Sequence, residues 1–91
     1  MQRCVSFRVA GRVQGVAYRA SACDQAAQHA LVGWVRNLPS GEVEGLVQGE
    51  ASSVDAFLAW AKRGPFGAWV SELKIRDEQL IDELTRFEIR R

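Results

Sequence analysis

Cysteine, histidine, long apolar runs and an excess of charge of either sign are all scarce in this sequence. Of 91 residues only two are cysteine, Cys4 and Cys23, and one is histidine, His29. The cysteines lack C-x-x-C spacing, and a structural zinc site would need more ligands beside His29. Neither a disulfide framework nor a metal site is expected, and no cofactor is implied. Twelve basic residues against eleven acidic ones leave a net charge of +1 at pH 7. That excludes a broad electrostatic attraction to nucleic acid or an anionic membrane, so any anion must be bound locally. No stretch approaches the roughly 20 apolar residues of a membrane span. Met1-Gln2-Arg3-Cys4 runs directly into strand-like alternation, which leaves no room for the parts of a signal peptide. The expectation is a soluble, cytoplasmic protein.

What is present is an ordinary globular composition, 47% hydrophobic and 25% charged, without repeats, linkers or low-complexity segments. A chain of this length is expected to form one domain over residues 1–91, burying roughly 60–65% of its unfolded surface without metals or staples. Nothing requires more than a monomer.

Val5, Phe7 and Val9 alternate with Ser6 and Arg8, the period of a half-buried strand. From Arg19 to about His29 the sequence becomes an alanine-rich helix, with Ala22/Cys23, Ala26/Ala27 and Ala30/Leu31 recurring on one face, small enough to lie close to a sheet. Val32 to Leu38 is rich in β-formers, Pro39-Ser40-Gly41 suits a tight turn, and Glu42 to Gly49 alternates again with Val43, Gly45 and Val47 on one face. This predicts a hairpin. Ser52 or Ser53 is placed to cap a second helix with Val54, Phe57, Leu58 and Ala61 inward, Lys62 and Arg63 near its end, and Gly64-Pro65 stopping it. A fourth strand is expected from Ala68 to Arg76 with Trp69, Leu73 and Ile75 on one face, and a short last strand at Phe87 and Ile89. The order is the split βαβ arrangement, an α+β ferredoxin-like fold with two helices on one face of an antiparallel sheet and a short extra C-terminal strand. The fold alone assigns no function.

The most informative stretch is Gly11-Arg12-Val13-Gln14-Gly15-Val16-Ala17-Tyr18-Arg19, between the first strand and the first helix. Gly15 permits close backbone approach, successive N–H groups can face one concavity, and the helix start adds its positive end. Arg19 supplies a guanidinium fork suited to phosphate oxygens. The spacing is neither that of a Walker loop nor of a dinucleotide fingerprint, so no nucleotide is implied. Taken by itself, the loop reads more readily as a glycine-shaped turn followed by a solvated arginine.

The loop motif combined with Gly33-Trp34-Val35-Arg36-Asn37, Gly41-Glu42-Val43-Glu44-Gly45, Gly64-Pro65-Phe66-Gly67-Ala68-Trp69-Val70 and Phe87-Glu88-Ile89-Arg90-Arg91 closely resembles the acylphosphatase family across essentially the whole chain. The family's signatures read G-R-V-Q-G-V-x-[FY]-R and G-W-V-R-N. The resemblance implies hydrolysis of the carboxyl–phosphate anhydride of a small-molecule acyl phosphate. It implies that backbone N–H groups of Gln14, Gly15, Val16, Ala17, Tyr18 and Arg19 wrap the phosphate, that Arg19 neutralises it, and that Asn37 orients the attacking water. Neither motif contains His, Asp, Glu or Cys, which fits a reaction driven by positioning and charge stabilisation, with the substrate's own phosphate or departing carboxylate accepting the proton.

Two positions depart from the family pattern. Ala30 stands where glycine is usual, at a cost of about 1 kcal/mol if the position needs positive φ, and Ser40 stands where Asp or Asn is frequent. His29 lies at the far end of the helix from the loop and reads as solvated or capping. Cys23, beside Ala27, reads as a small core residue. Arg12 and Arg36 read as exposed charges that could also steer an anion, and Trp34, Trp60 and Trp69 as packing residues. Two alternatives stand: a non-catalytic phosphate- or carbamoyl-phosphate-binding module of the same fold, and an RNA-binding module, which would need paired exposed aromatics and a basic face.

Overall fold

In the computed structural model, which describes residues 1–91, the alternation of Val5, Phe7 and Val9 becomes strand β1 (Gln2–Arg12), with those three side chains buried. It is followed by α1 (Tyr18–Gln28), β2 (Val32–Asn37), β3 (Val43–Glu50), α2 (Ala51–Ala61), β4 (Trp69–Glu78) and β5 (Phe87–Ile89). The sheet order is β4-β1-β3-β2-β5. The first four strands pair antiparallel, and β5 joins β2 in parallel, Gly33 opposite Phe87 and Val35 opposite Ile89. The expected ferredoxin-like fold is therefore present, with one qualification: the extra strand makes the sheet mixed.

Both helices cover one face of the sheet, since Ala22 and Ala26 of α1 and Val54, Phe57 and Ala61 of α2 share one core with Val5, Phe7, Val9, Val35, Val43 and Val47. Phe57 is its centre, with ring centroids 5.5 Å from Phe7, 5.7 Å from Phe87 and 5.8 Å from Trp60. Burying side chains of this size contributes on the order of 2–3 kcal/mol each. On the opposite face Cys4 and Leu46 are also buried. There Gln48 pins the segment after β4, its amide donating to Ile81 O at 2.9 Å and accepting from Ile81 N at 2.8 Å.

Four local expectations need correction. The buried face of α1 is Tyr18, Ala22 and Ala26, whereas Cys23 is half-buried and Ala27 exposed. Those two lie about 100° further round the helix. Neither Ser52 nor Ser53 caps α2, because β3 runs into the helix without a loop. Its N-cap is Glu50, whose side chain makes no capping bond to the helix, and Ala51 N–H is met by Met1 O at 2.7 Å. Trp69 does not share a face with Leu73. The register slips by one residue between Ala10 and Gly11, which sets Gly11 opposite Val70. Such a bulge inverts the alternation beyond it, so Val70 and Ala68 pack on the core and Trp69 is 65% exposed. Ile75, though on the expected side, is more exposed than buried, at 52%.

Candidate active site

β1 leads into residues 13–17 before α1 begins. Gly15 takes φ 75° and Ala17, the N-cap of α1, takes φ 61° in the left-handed region. Alternating left-handed residues turn successive N–H groups toward a common side. None of the backbone N–H groups of Gln14, Gly15, Val16 or Ala17 donates to a protein acceptor, and α1 receives no side-chain cap. The first helical turn adds N–H groups that helix geometry leaves unspent, together with the positive end of the dipole. The result is a concave set of donors with no protein acceptor of its own.

Arg19 follows in the first turn of α1. It is half-buried, and no carboxylate of the protein pairs with it. Tyr18, its neighbour, turns inward and donates from its hydroxyl to Ala61 O at 2.7 Å, with its ring centroid 5.0 Å from Trp60. Burial pushes the Tyr18 phenol well above its ordinary value.

Asn37 arrives from the other side. It ends β2, paired with Val43 at the mouth of the β2–β3 hairpin. That turn is closed by Gly41 at φ 97° and by Ser40, whose hydroxyl accepts from Glu42 N–H at 3.3 Å. Ser40 thus serves the turn as Asp or Asn would. The Asn37 Oδ1 atom is buried and has no hydrogen-bond partner in the protein. An unpaired buried carbonyl costs about 1–3 kcal/mol, so its presence here calls for a partner from outside the chain.

Loop, helix start and Asn37 meet in a cavity of about 180 Å³. Of the residues expected from sequence, Gln14, Gly15, Ala17, Tyr18, Arg19 and Asn37 line it, while the Val16 side chain packs against the core. Val13, Ala20 and Ile89 complete the wall. Sequence reasoning gave none of them a role because an apolar lining carries no chemical signal, although Val13 and Ile89 belong to segments of the resemblance. Beyond Arg19 and Asn37 the cavity opens into a recess of about 620 Å³ bordered by Arg90 and Arg91. No Asp or Glu side chain lines either space, whereas Arg19, Arg90 and Arg91 do.

The residues set aside at the outset lie elsewhere. His29 is the C-cap of α1, at the opposite end from Arg19. Arg36 pairs with Glu44 and stacks on Trp34 at 5.5 Å, with Arg90 on the same ring at 5.1 Å. Trp34 is thus a support for arginines, whereas Trp60 is buried in the core. Arg12 is exposed. No three His, Cys, Asp or Glu side chains gather where they could hold a metal ion.

Fold and site together define an α+β ferredoxin-like protein in which a loop of unspent N–H groups shares a cavity with the unpaired Asn37 Oδ1. The sequence model of the acylphosphatase family matches residues 5–89. An acylphosphatase of Methylococcus capsulatus is 54% identical over 87 residues, covering 96% of this chain and 95% of that protein. The structure of an acylphosphatase from Coxiella burnetii superposes with a TM-score of 0.93 at 35% identity, covering 98% of this chain and 93% of that one. The crystal structure of acylphosphatase from Bacillus subtilis gives 0.93 at 30% identity, with all of both chains covered. The chain belongs to the acylphosphatase family.

Proposed function

We propose that this protein hydrolyses acyl phosphates to carboxylate and inorganic phosphate, with the loop N–H groups of residues 14–19 and Arg19 holding the phosphate and Asn37 holding the water. The observation that carries the assignment of roles is the buried, partnerless Asn37 Oδ1, set on the same cavity wall as Arg19. A carbonyl oxygen can only accept, so the attacking water donates one O–H to Asn37 while its lone pair faces the phosphorus. As the water oxygen bonds to phosphorus, the bond from phosphorus to the acyl oxygen breaks, and its electron pair leaves on the carboxylate. The water proton passes to a phosphate oxygen or the departing carboxylate. The carboxylate leaves readily and the transition state is loose, so fixed positive charge and orientation account for most of the acceleration.

The same proposal takes residues 1–91 as one acylphosphatase-like domain acting as a monomer in the cytoplasm; the loop, Arg19 and Asn37 meet without a second copy. A non-catalytic phosphate- or carbamoyl-phosphate-binding module is not favoured, because it would have no use for the unpaired Asn37 oxygen.

The test is hydrolysis of benzoyl phosphate without added metal by wild type, Arg19→Ala and Asn37→Ala. An arginine of this kind is worth about 10³–10⁵ in rate, so Arg19→Ala should lose several orders of magnitude together with affinity for inorganic phosphate. Asn37→Ala should lower kcat while inorganic phosphate still binds, because it acts on the transition state rather than the bound ground state. Wild-type turnover no faster than either variant would sink the enzyme reading.

A further inference from the structure

Gln14 does more in the structure than contribute a backbone N–H. Its side-chain Nε2 donates both hydrogens across to the β2–β3 hairpin, to Leu38 O at 2.8 Å and to Glu42 O at 2.9 Å. Leu38 directly follows Asn37. Neither carbonyl needs Gln14 for its own satisfaction. Leu38 O also accepts from Gly41 N–H at 3.0 Å, and Glu42 O from Leu38 N–H at 2.8 Å. The hairpin therefore closes on its own backbone bonds.

The segment that does need a tether is the loop. Residues 14–17 spend no N–H group on the protein, and the helix they enter is uncapped. We infer that Gln14 is a positioning residue: its amide bridges the phosphate-holding loop to the peptide after Asn37 and so fixes the distance between bound phosphorus and oriented water. The inference rests on the function proposed above. It follows from the number of donors available, since an NH₂ group can serve two carbonyls at once, and no other uncharged side chain of this length offers two hydrogens on one atom. A misplacement of about 1 Å between reacting groups can lower a rate on the order of 10²-fold, while binding of phosphate by the loop alone is indifferent to where Asn37 sits.

The experiment compares wild type, Gln14→Met and Gln14→Glu for kcat and KM on benzoyl phosphate and for inhibition by inorganic phosphate, with Gln14→Met also placed on the Asn37→Ala background. Folding is checked by circular dichroism, and Gln14→Asn serves as a second variant should Met at this position disturb the loop. Gln14→Met keeps length and loses both donors, so kcat should fall about 10- to 100-fold while phosphate inhibition shifts less than about threefold. With Asn37 already replaced there is no amide left to position, and the same change should lower kcat less than about threefold further. Gln14→Glu places a carboxylate against two carbonyls. It should be slower than the Met variant at pH 7 and recover as pH falls toward carboxyl protonation, when one O–H donor returns, a limb absent from wild type.

A Gln14→Met kcat within twofold of wild type, an undiminished loss on the Asn37→Ala background, or phosphate affinity falling in step with kcat would overturn the inference. Absence of wild-type turnover would instead remove the catalytic reading on which it stands. An active wild type with an insensitive Gln14 removes the tether alone.

Discussion

At the scale of single residues, the backbone of Ala30 shows how an unusual residue can be read from sequence and confirmed by conformation. Ala30 adopts φ 54° just after α1, where a Cβ is disfavoured by roughly 1–2 kcal/mol. Glycine there regains that strain and returns part of it through a more flexible unfolded chain. Ala30→Gly should therefore raise stability by about 1 kcal/mol and Tm by roughly 4–8 °C in a domain of this size, measured by thermal unfolding. Ala17 has the same backbone sign at the cavity wall, so the two left-handed alanines separate strain that merely ends a helix from strain that shapes a donor cradle. Neither the unpaired Asn37 oxygen nor the bonds of Gln14 was legible in the sequence. The first is a property of burial. The second joins residues 24 and 28 positions apart, beyond any local pattern.

Elements were legible where periodicity sets them and illegible where a neighbour does. The inward residues of β1, β3 and α2 follow from alternation and from i, i+3, i+4 spacing. The start of α2 does not, because its first N–H is satisfied by Met1, just before the adjacent strand β1, rather than by a serine. The face of Trp69 does not either, because the slip that turns it outward arises in pairing with β1. Between the two helices the decisive contact is one hydroxyl. Tyr18 at the start of α1 donates to Ala61 O, a last-turn carbonyl of α2 that the helix leaves without a partner. Tyr18→Phe removes the donor and strands that buried carbonyl, which should lower stability by about 1–2 kcal/mol in urea unfolding. A loss under a few tenths would mean that the α2 terminus finds another donor.

For the molecule as a whole, no charged side chain is fully buried, and the charge pairs lie at or near the surface. Glu78 and Glu88 are held below the usual carboxylate range, Glu78 chiefly by the Ser6 hydroxyl and Glu88 chiefly by Arg90. Folding thus gains from their ionised forms above the ordinary carboxylate pKa and loses that gain as pH falls; both are only half-buried and reach solvent, so the acid effect should be small. The alkaline side is governed from within. Burial pushes the Cys4 thiol above its ordinary 9.0, aided by Glu78, and the Cys23 thiol likewise, aided by Asp24. A neutral thiol favoured by the fold is a contribution intact below pH 9 and lost as pH rises through the folded value. Stability should therefore decline above pH 9, and Cys4→Val should flatten that decline between pH 9 and 10, before the Tyr18 phenol adds its own. Equal slopes for wild type and variant would exclude Cys4 as a cause.

Ile89 stands on the cavity wall, carried there by β5, which pairs with β2 across more than half the chain. During synthesis, the loop with Arg19 and the strand with Asn37 emerge long before that wall exists. Loop, helix start and Asn37 are thus all in hand before the wall that Ile89 supplies, and the cavity is completed only when the last strand pairs with β2.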